Sequence, residues 1–392
     1  VDGALLIFGA SARAAAFSAL RAGFRPWCAD LFADADLRQR VPVMQLPGRY
    51  PESFLDLIDV ELPGPWMYTG GLENRPFLVG KMARRRRLWG NDRAALLEAR
   101  SPFAVAAVLK KAGLPVPAAW GPGDRFVPGG RRWLLKPLAG AGGAGIRFLE
   151  VDVAEPTLAL GRCYLQEFLE GESRSAVFLG NGRSARLLGL TRQLVGSEWL
   201  NAAPFQYCGN IGPLPLTAGE AATLERLGNA LAAGCGLRGL FGVDGIWRRG
   251  ALWPVEINPR YTASVEVIEY ATGFRALAGH AQACEAGELP RDVPPPVAGV
   301  VGKAVLFARR SIAFPAEGPW ASVVAAAPPP DKLPPLADIP PAGTAVEPGH
   351  PVLTVFARET DADACEAALR AIAGDLDRTL FGPESTRPEE PS

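Results

Sequence analysis

Histidine is nearly missing from this 392-residue chain, which carries only His280 and His350. That scarcity argues against a multi-histidine metal site or a histidine-centred triad. Any catalysis must rest on lysine, arginine, aspartate and glutamate. The six cysteines (Cys28, Cys163, Cys208, Cys235, Cys284 and Cys365) form no Cys-x-x-Cys pair and no metal-ligand spacing. Reduced thiols in a cytoplasmic protein are expected. No apolar run approaches the roughly 20 residues of a membrane span, and no signal peptide is legible, so no membrane segment is expected. Net charge is absent as well: 41 Lys+Arg balance 41 Asp+Glu. This removes the general electrostatic case for nucleic acid or an acidic membrane surface. No internal repeat is visible. What remains is a chain that is 48% apolar, hence globular, and long enough for two or three domains.

The most informative stretch is 133–145, WLLKPLAGAGGAG. An apolar run reads as a β-strand that delivers Lys136 to the mouth of a loop holding Gly140, Gly142, Gly143 and Gly145. Glycine permits positive φ and close backbone approach, so successive N–H groups can converge on an anion. The lysine adds a point charge suited to phosphate. The order differs from a Walker loop, in which the lysine follows the glycines. Taken alone, the glycines fit a mobile surface loop equally well.

Before this stretch, residues 4–8 (ALLIF), 14–22 and 26–29 predict a strand, a helix and a second strand ending at Asp30. The unit resembles the start of a Rossmann-like domain but lacks the GxGxxG fingerprint. Its turn at 9–13 serves either a small ligand or the scaffold alone. The segment 67–75 (MYTGGLENR) places Thr69, Gly70, Gly71, Glu73 and Asn74 in a loop after a strand, where substrate contacts are common. The four arginines 84–87 read as a solvated helix face or a landing site for an anionic substrate tail. Residues 101–112 predict an amphipathic helix ended by Gly113, with a domain junction at 114–117. Residues 148–151 close the first nucleotide-binding layer.

Residues 164–172 (YLQEFLEGE) predict one extended strand, which either presents backbone groups to an adenine edge or links two domains. A hairpin follows, with 175–179 and 184–191 flanking Gly180-Asn181-Gly182. Residues 241–247 and 251–258 form another pair of strands. If their loop is Arg248-Arg249-Gly250, Trp247 pairs with Ala251. Asp244, Glu256 and Asn258 then share one face; a two-residue loop would break that agreement. Two carboxylates and an amide oxygen suit Mg²⁺ held with nucleotide phosphates. Arg260, two residues on, has a charge to place on a phosphoryl group. A half-exposed hairpin with polar outer positions is the alternative, although unpaired acids in the apolar run 252–257 are costly. Proline-rich stretches after Leu289 mark linkers around strands 299–308 (with Lys303) and 351–357 and a closing helix, 361–376.

The joint order of Lys136 before the glycine loop, Gln166-Glu167-Phe168-Leu169 with Glu172, Asp244 on a strand, and Glu256-Ile257-Asn258-Pro259-Arg260 resembles an ATP-grasp enzyme over roughly 101–273. Residues 189–196 (GLTRQLVG), 204–207 and 338–357 resemble the branch of predicted ATP-dependent carboligases related to biotin carboxylase. The resemblance implies an α/β and α+β chain in five parts. These are a Rossmann-like domain (1–95), an ATP-grasp subdomain with a glycine-rich lid (96–170) and a second with the metal hairpin (171–292). A small α+β domain (293–382) and a disordered tail (383–392) follow.

The same resemblance implies ATP and Mg²⁺, or Mn²⁺ in its place, as cofactors. Lys136 would contact the ATP phosphates, with the backbone of Gly140, Gly142 and Gly143 covering them. Gln166, Glu167, Phe168 and Leu169 would border adenine, and Glu172 the ribose. Asp244, Glu256 and Asn258 would hold the metal. Arg260, with Lys136, would act on the transferred phosphoryl group. Family members often carry another phosphate-binding lysine where this chain has Arg100-Ser101-Pro102. Arg100 either replaces it or the contact is absent.

The implied reaction joins a small-molecule carboxylate to an amine through an acyl phosphate, forming ADP. Some relatives join an amino acid such as glutamate in one-carbon cofactor biosynthesis of the tetrahydromethanopterin or methanofuran type. Two alternatives stand beside this ligase: a non-catalytic ATP-binding or assembly subunit, and an ATP-dependent carboxylase. Ser264 occupies the position of the biotin carboxylases' catalytic glutamate, which disfavours the carboxylase. No nucleic-acid or membrane partner is implied, and a homodimer is compatible with the family.

Overall fold

The computed structural model describes residues 3–124, 126, 129–149 and 161–383. The expected end of the strand at Val151 and the tail from residue 384 lie outside them. At the N-terminus, strands Val43–Gln45, Arg25–Asp30, Ala4–Gly9 and Trp66–Tyr68 pair in that order as a parallel sheet. Leu5, Leu6, Ile7 and Phe8 are all buried, as a strand covered on both faces requires. Helix Arg13–Arg21 makes the crossover between the first two strands.

The arginine run does not form a helix face, and Arg84, Arg85 and Arg87 are exposed. Helix Pro76–Ala83 ends before it. Arg86 donates to the carbonyls of Ile58 (2.8 Å), Val60 (2.6 Å) and Leu62 (2.6 Å), Arg85 pairs with Asp59 (2.9 Å), and Arg87 pairs with Glu285. Arg85 and Arg86 stitch down a loop whose backbone carbonyls have no ladder partners.

A small antiparallel sheet, ordered Ala119–Trp120, Cys163–Glu167, Trp133–Pro137, Arg147–Phe148, carries Lys136. The single strand expected over 164–172 is two. Cys163–Glu167 belongs to this sheet, and Glu172–Asn181 belongs to the large one. The chain turns between them at Gly171 (φ +151°), where a Cβ would lie 2.6 Å from the Trp247 carbonyl oxygen. Only glycine fits that approach.

The large sheet runs Ala251–Asn258, Arg238–Arg248, Glu172–Asn181, Ala185–Val195, Tyr207–Gly212, Val300–Phe307, Pro351–Glu359, Leu336–Ala337. The C-terminal strands therefore extend the same sheet, through pairs such as Asn210 with Lys303. Helix Ala218–Cys235 packs on one part of it. A Thr217–Glu220 capping box starts that helix and Gly236 (φ +69°) ends it. Helix Ala362–Phe381 covers the C-terminal part.

The N- and C-terminal parts meet through buried charge. Arg13, fully buried, donates to both oxygens of Glu266 (2.6 and 2.9 Å) and to Asp338 (2.7 Å). Lys303 also pairs with Glu266, at 2.9 Å.

Candidate active site

Lys136 leaves its strand toward the large sheet and is 8% exposed. Its Nζ donates to Gln166 Oε1 at 2.9 Å and to the Val255 carbonyl at 3.1 Å. The glycine loop follows with Gly142 at φ +61° and Gly143 at φ +84°. A Cβ on Gly143 would lie 1.9 Å from the Phe205 carbonyl oxygen. The Tyr207 N–H donates to the Gly142 carbonyl at 3.2 Å. The loop thus lies against the segment 203–207 and roofs the space between the two sheets.

The acidic hairpin reaches the expected face by a different register. Its turn is two residues, Arg249 (φ +51°) and Gly250 (φ +72°), and Arg248 pairs with Ala251. A uniform ladder from that turn would set Asp244 and Glu256 on opposite faces. The register shifts between Asp244 and Gly245, so Gly245 opposes Pro254 and Asp244 opposes Glu256. Val255 is the extra residue of a β-bulge. Proline has no N–H for the ladder and is tolerated at bulges, so Pro254 was the signal for it. The bulge restores the shared face, and Lys136 bonds the bulged residue's carbonyl.

Asn258 Nδ2 donates to Asp244 Oδ2 at 2.8 Å, and Arg260 Nη2 donates to Asn258 Oδ1 at 3.2 Å. Arg260 Nε is held by Glu73 at 2.8 Å. Arg100 Nη1 sits 2.7 Å from Glu256 Oε1 and 3.0 Å from the Ile257 carbonyl. These contacts set the charge balance. Burial, then the facing Glu256, pushes Asp244 up to about 6. Burial also raises Glu256, but Arg100 and Lys136 outweigh it and hold that carboxyl below its ordinary value. Burial lowers the Lys136 ammonium, which Glu256 opposes.

A raised carboxyl opposite a second carboxylate marks excess negative charge that a divalent cation would relieve. The hard-oxygen donor set fits Mg²⁺. Among the described residues no cluster of three His, Cys, Asp or Glu side chains forms. The remaining donors would be the Asn258 amide oxygen and phosphate oxygens of a nucleotide. A raised carboxyl also costs the fold stability at neutral pH. Asp244→Asn is therefore expected to stabilise the metal-free protein near neutrality by on the order of 1–2 kcal/mol. The gain should shrink as pH falls through about 6 toward the ordinary carboxyl range, because the wild-type group then binds its proton. Thermal unfolding with a chelator across that range checks this.

A cleft of about 730 Å³ gathers Lys136, Gly142, Gly143, Gln166, Glu167, Phe168, Leu169, Asp244, Glu256, Asn258 and Arg260 on one wall or another. That volume suits a small-molecule site. Gly140 lines a smaller adjoining pocket with Arg100. Glu172 stands apart from both, bound by Arg174 (2.5 Å) and Arg192 (2.8 Å). The cleft also takes in Glu170, Gln193, Phe205 and Tyr207, which lie in the stretches 164–172, 189–196 and 204–207 but carry no site role in the sequence analysis. Phe205 and Tyr207 arrive through a loop that only the sheet topology brings over the glycines.

Two α+β layers that close a lysine, a glycine loop and an acidic hairpin around one cleft define a nucleotide-clamping architecture. Residues 100–264 match the ATP-grasp domain family. No curated protein sequence matches the chain. Among solved structures it is similar to the L-amino acid ligase from Bacillus licheniformis, at TM-score 0.68 and 16% identity, with 94% of this chain and 96% of that one covered. It is also similar to the biotin carboxylase domain dimer of 2-oxoglutarate carboxylase from Hydrogenobacter thermophilus, solved with MgADP, ADP and bicarbonate. There the TM-score is 0.66 at 16% identity, covering 94% and 89%. Phosphoribosylamine–glycine ligase from Thermotoga maritima gives 0.64 and 18%, covering 94% and 96%. At these identities the likeness is one of fold.

Proposed function

We propose that this protein is an ATP-dependent ligase that joins a carboxylate to an amine through an acyl phosphate, releasing ADP. The observation that carries the reading is the shared cleft in which the Lys136 ammonium faces the Asp244–Glu256 pair. Lys136 binds the triphosphate, and the amides around Gly142 and Gly143 cover it. Gln166–Leu169 border the base. Asp244, Glu256 and Asn258 would hold Mg²⁺, which when bound draws charge from the phosphate oxygens. Arg260, steered by Glu73, points its charge at the group in transfer. Fixed charges of this kind carry most of the catalysis of phosphoryl transfer. The glycine loop, resting on 203–207, keeps water from the acyl phosphate. A neutral amine then displaces phosphate with no strong protein base.

The neighbouring structures' names support this class, since one is an L-amino acid ligase and another a phosphoribosylamine–glycine ligase. Ser264 speaks against a carboxylase: it is 3% exposed, faces the Ser175 hydroxyl at 3.3 Å and offers no carboxylate. Arg100 speaks against a non-catalytic subunit, because a guanidinium stands at the phosphate loop where a lysine is missing. For substrate, we propose an amino acid such as glutamate, joined by an amide in one-carbon cofactor assembly, on the resemblance of GLTRQLVG at 189–196. All six cysteines are free, which favours a cytoplasmic setting, and the neighbouring dimer favours a homodimer. Among the described residues no helix is long and apolar enough to cross a membrane.

A screen of acid–amine pairs for ADP formation, with mass spectrometry of the product, tests the proposal. An amide formed together with ADP is the expected result; bicarbonate-dependent ADP formation without an amine would favour the carboxylase instead. Glu256→Gln should raise the Mg²⁺ concentration for half-maximal rate about tenfold or more, the scale seen when metal sites lose supporting groups. An unaltered Mg²⁺ titration would put the metal elsewhere.

A further inference from the structure

Two consecutive residues of the N-terminal region reach the cleft's working groups from outside it. They sit on the turn Leu72–Asn74, just beyond strand Trp66–Tyr68. Gly71 (φ +102°) sets the turn; a Cβ there would lie 2.0 Å from the Tyr50 hydroxyl, which itself donates to the Gly70 carbonyl at 3.2 Å. Glu73 is 2% exposed and holds Arg260 Nε at 2.8 Å. Asn74 divides its amide. Its Oδ1 accepts from Arg100 Nη2 at 2.9 Å, and its Nδ2 donates to the Gly140 carbonyl at 3.0 Å. The same Arg100 Nη2 reaches that carbonyl at 3.0 Å, while Nη1 pairs with Glu256.

We infer that the Leu72–Asn74 turn is a positioning element of the ligase, in which Glu73 aims Arg260 while Asn74 ties Arg100 and the base of the glycine loop to the N-terminal sheet. The inference rests on the proposed ATP site. An amide accepts from a guanidinium through its oxygen and donates to a carbonyl through its nitrogen at once. An aspartate there would keep the arginine and repel the Gly140 carbonyl. An alanine would lose both. The Asn74–Gly140 bond fixes the base of the glycine loop in the position from which its tip meets 203–207.

The test uses the full chain with a non-hydrolysable ATP analogue and Mg²⁺. It measures the analogue's Kd by calorimetry and amide hydrogen exchange over 138–146 in the complex. Asn74 is only part-buried, so both variants should fold. With Asn74→Ala and Asn74→Asp, exchange over 138–146 should quicken about tenfold, the effect of losing one neutral hydrogen bond. Kd should rise several-fold, and exchange in the large sheet should not change. A merely structural asparagine would loosen its own turn and leave 138–146 protected. Wild-type protection and Kd in both variants would overturn the inference. A wild-type chain that does not bind the analogue would instead overturn the ATP site beneath it.

Discussion

Lys136→Ala is expected to lower ATP-dependent ADP formation by about 10²-fold or more, the scale on which a buried charge-stabilising donor acts in such sites. The reason is position. Lys136 is 8% exposed, and its two bonds, to Gln166 Oε1 and the Val255 carbonyl, are to neutral oxygens. Neither satisfies its charge, so the ammonium is held without being neutralised and stays available to a phosphate. Burial makes that charge count for more, because little water screens it. Lys136→Arg should not restore the rate, since a planar fork cannot take the place of a compact ammonium between those two acceptors. A coupled ADP assay on the acid–amine pair found by the screen measures both variants. Wild-type turnover in Lys136→Ala would remove the lysine from the mechanism.

The second large effect concerns stability. Arg13→Ala is expected to cost about 3–5 kcal/mol near neutral pH, the usual result of removing one partner from a buried ion pair. Arg13 is fully buried between Glu266, Asp338 and, at 3.7 Å, Asp36. Its loss leaves Glu266 with Lys303 alone, facing a group of acids that burial already disfavours. Asp36 is pushed up to about 6 by burial, although Arg13 opposes this, and burial also raises Asp34. The deficit should therefore narrow as pH falls through about 6, where Asp36 takes up its proton. Urea unfolding at several pH values gives the comparison. A loss under about 1 kcal/mol, the worth of a surface pair, would show that the network does not tie the two ends of the chain together.

The strand that bears Lys136 adjoins the glycine loop in sequence, whereas the Arg13 network joins residues hundreds of positions apart. The Lys136 strand and its glycine loop are legible because their cause is local: an apolar run ends in a charge, and glycines follow where positive φ is required. The acidic hairpin was legible in its residues and not in its register. Alternation put Asp244, Glu256 and Asn258 together on a three-residue loop. The chain uses a two-residue turn and a bulge at Val255, and parity is regained because two one-residue shifts cancel. Pro254 carried that information, but it can be weighed only once the partner strand is known. Arg86 differs from its exposed neighbours in the run at 84–87 for a related reason: charge alone does not say whether a guanidinium meets water or a loop carbonyl.

By itself the amino-acid order determined the chemistry available: an ammonium beside a glycine loop, a pair of acids with an amide on one hairpin, almost no imidazole, and no net charge. Folding decided which distant groups complete it. Glu73 and Asn74 on the two arginines, Phe205 and Tyr207 against the glycine loop, and Arg13 on Glu266 are separated by tens to hundreds of positions in the chain. Local propensity extends over a turn or a ladder. Contacts between remote segments follow from how the sheets stack and where buried charge must find a partner, and the order of residues does not display that outcome.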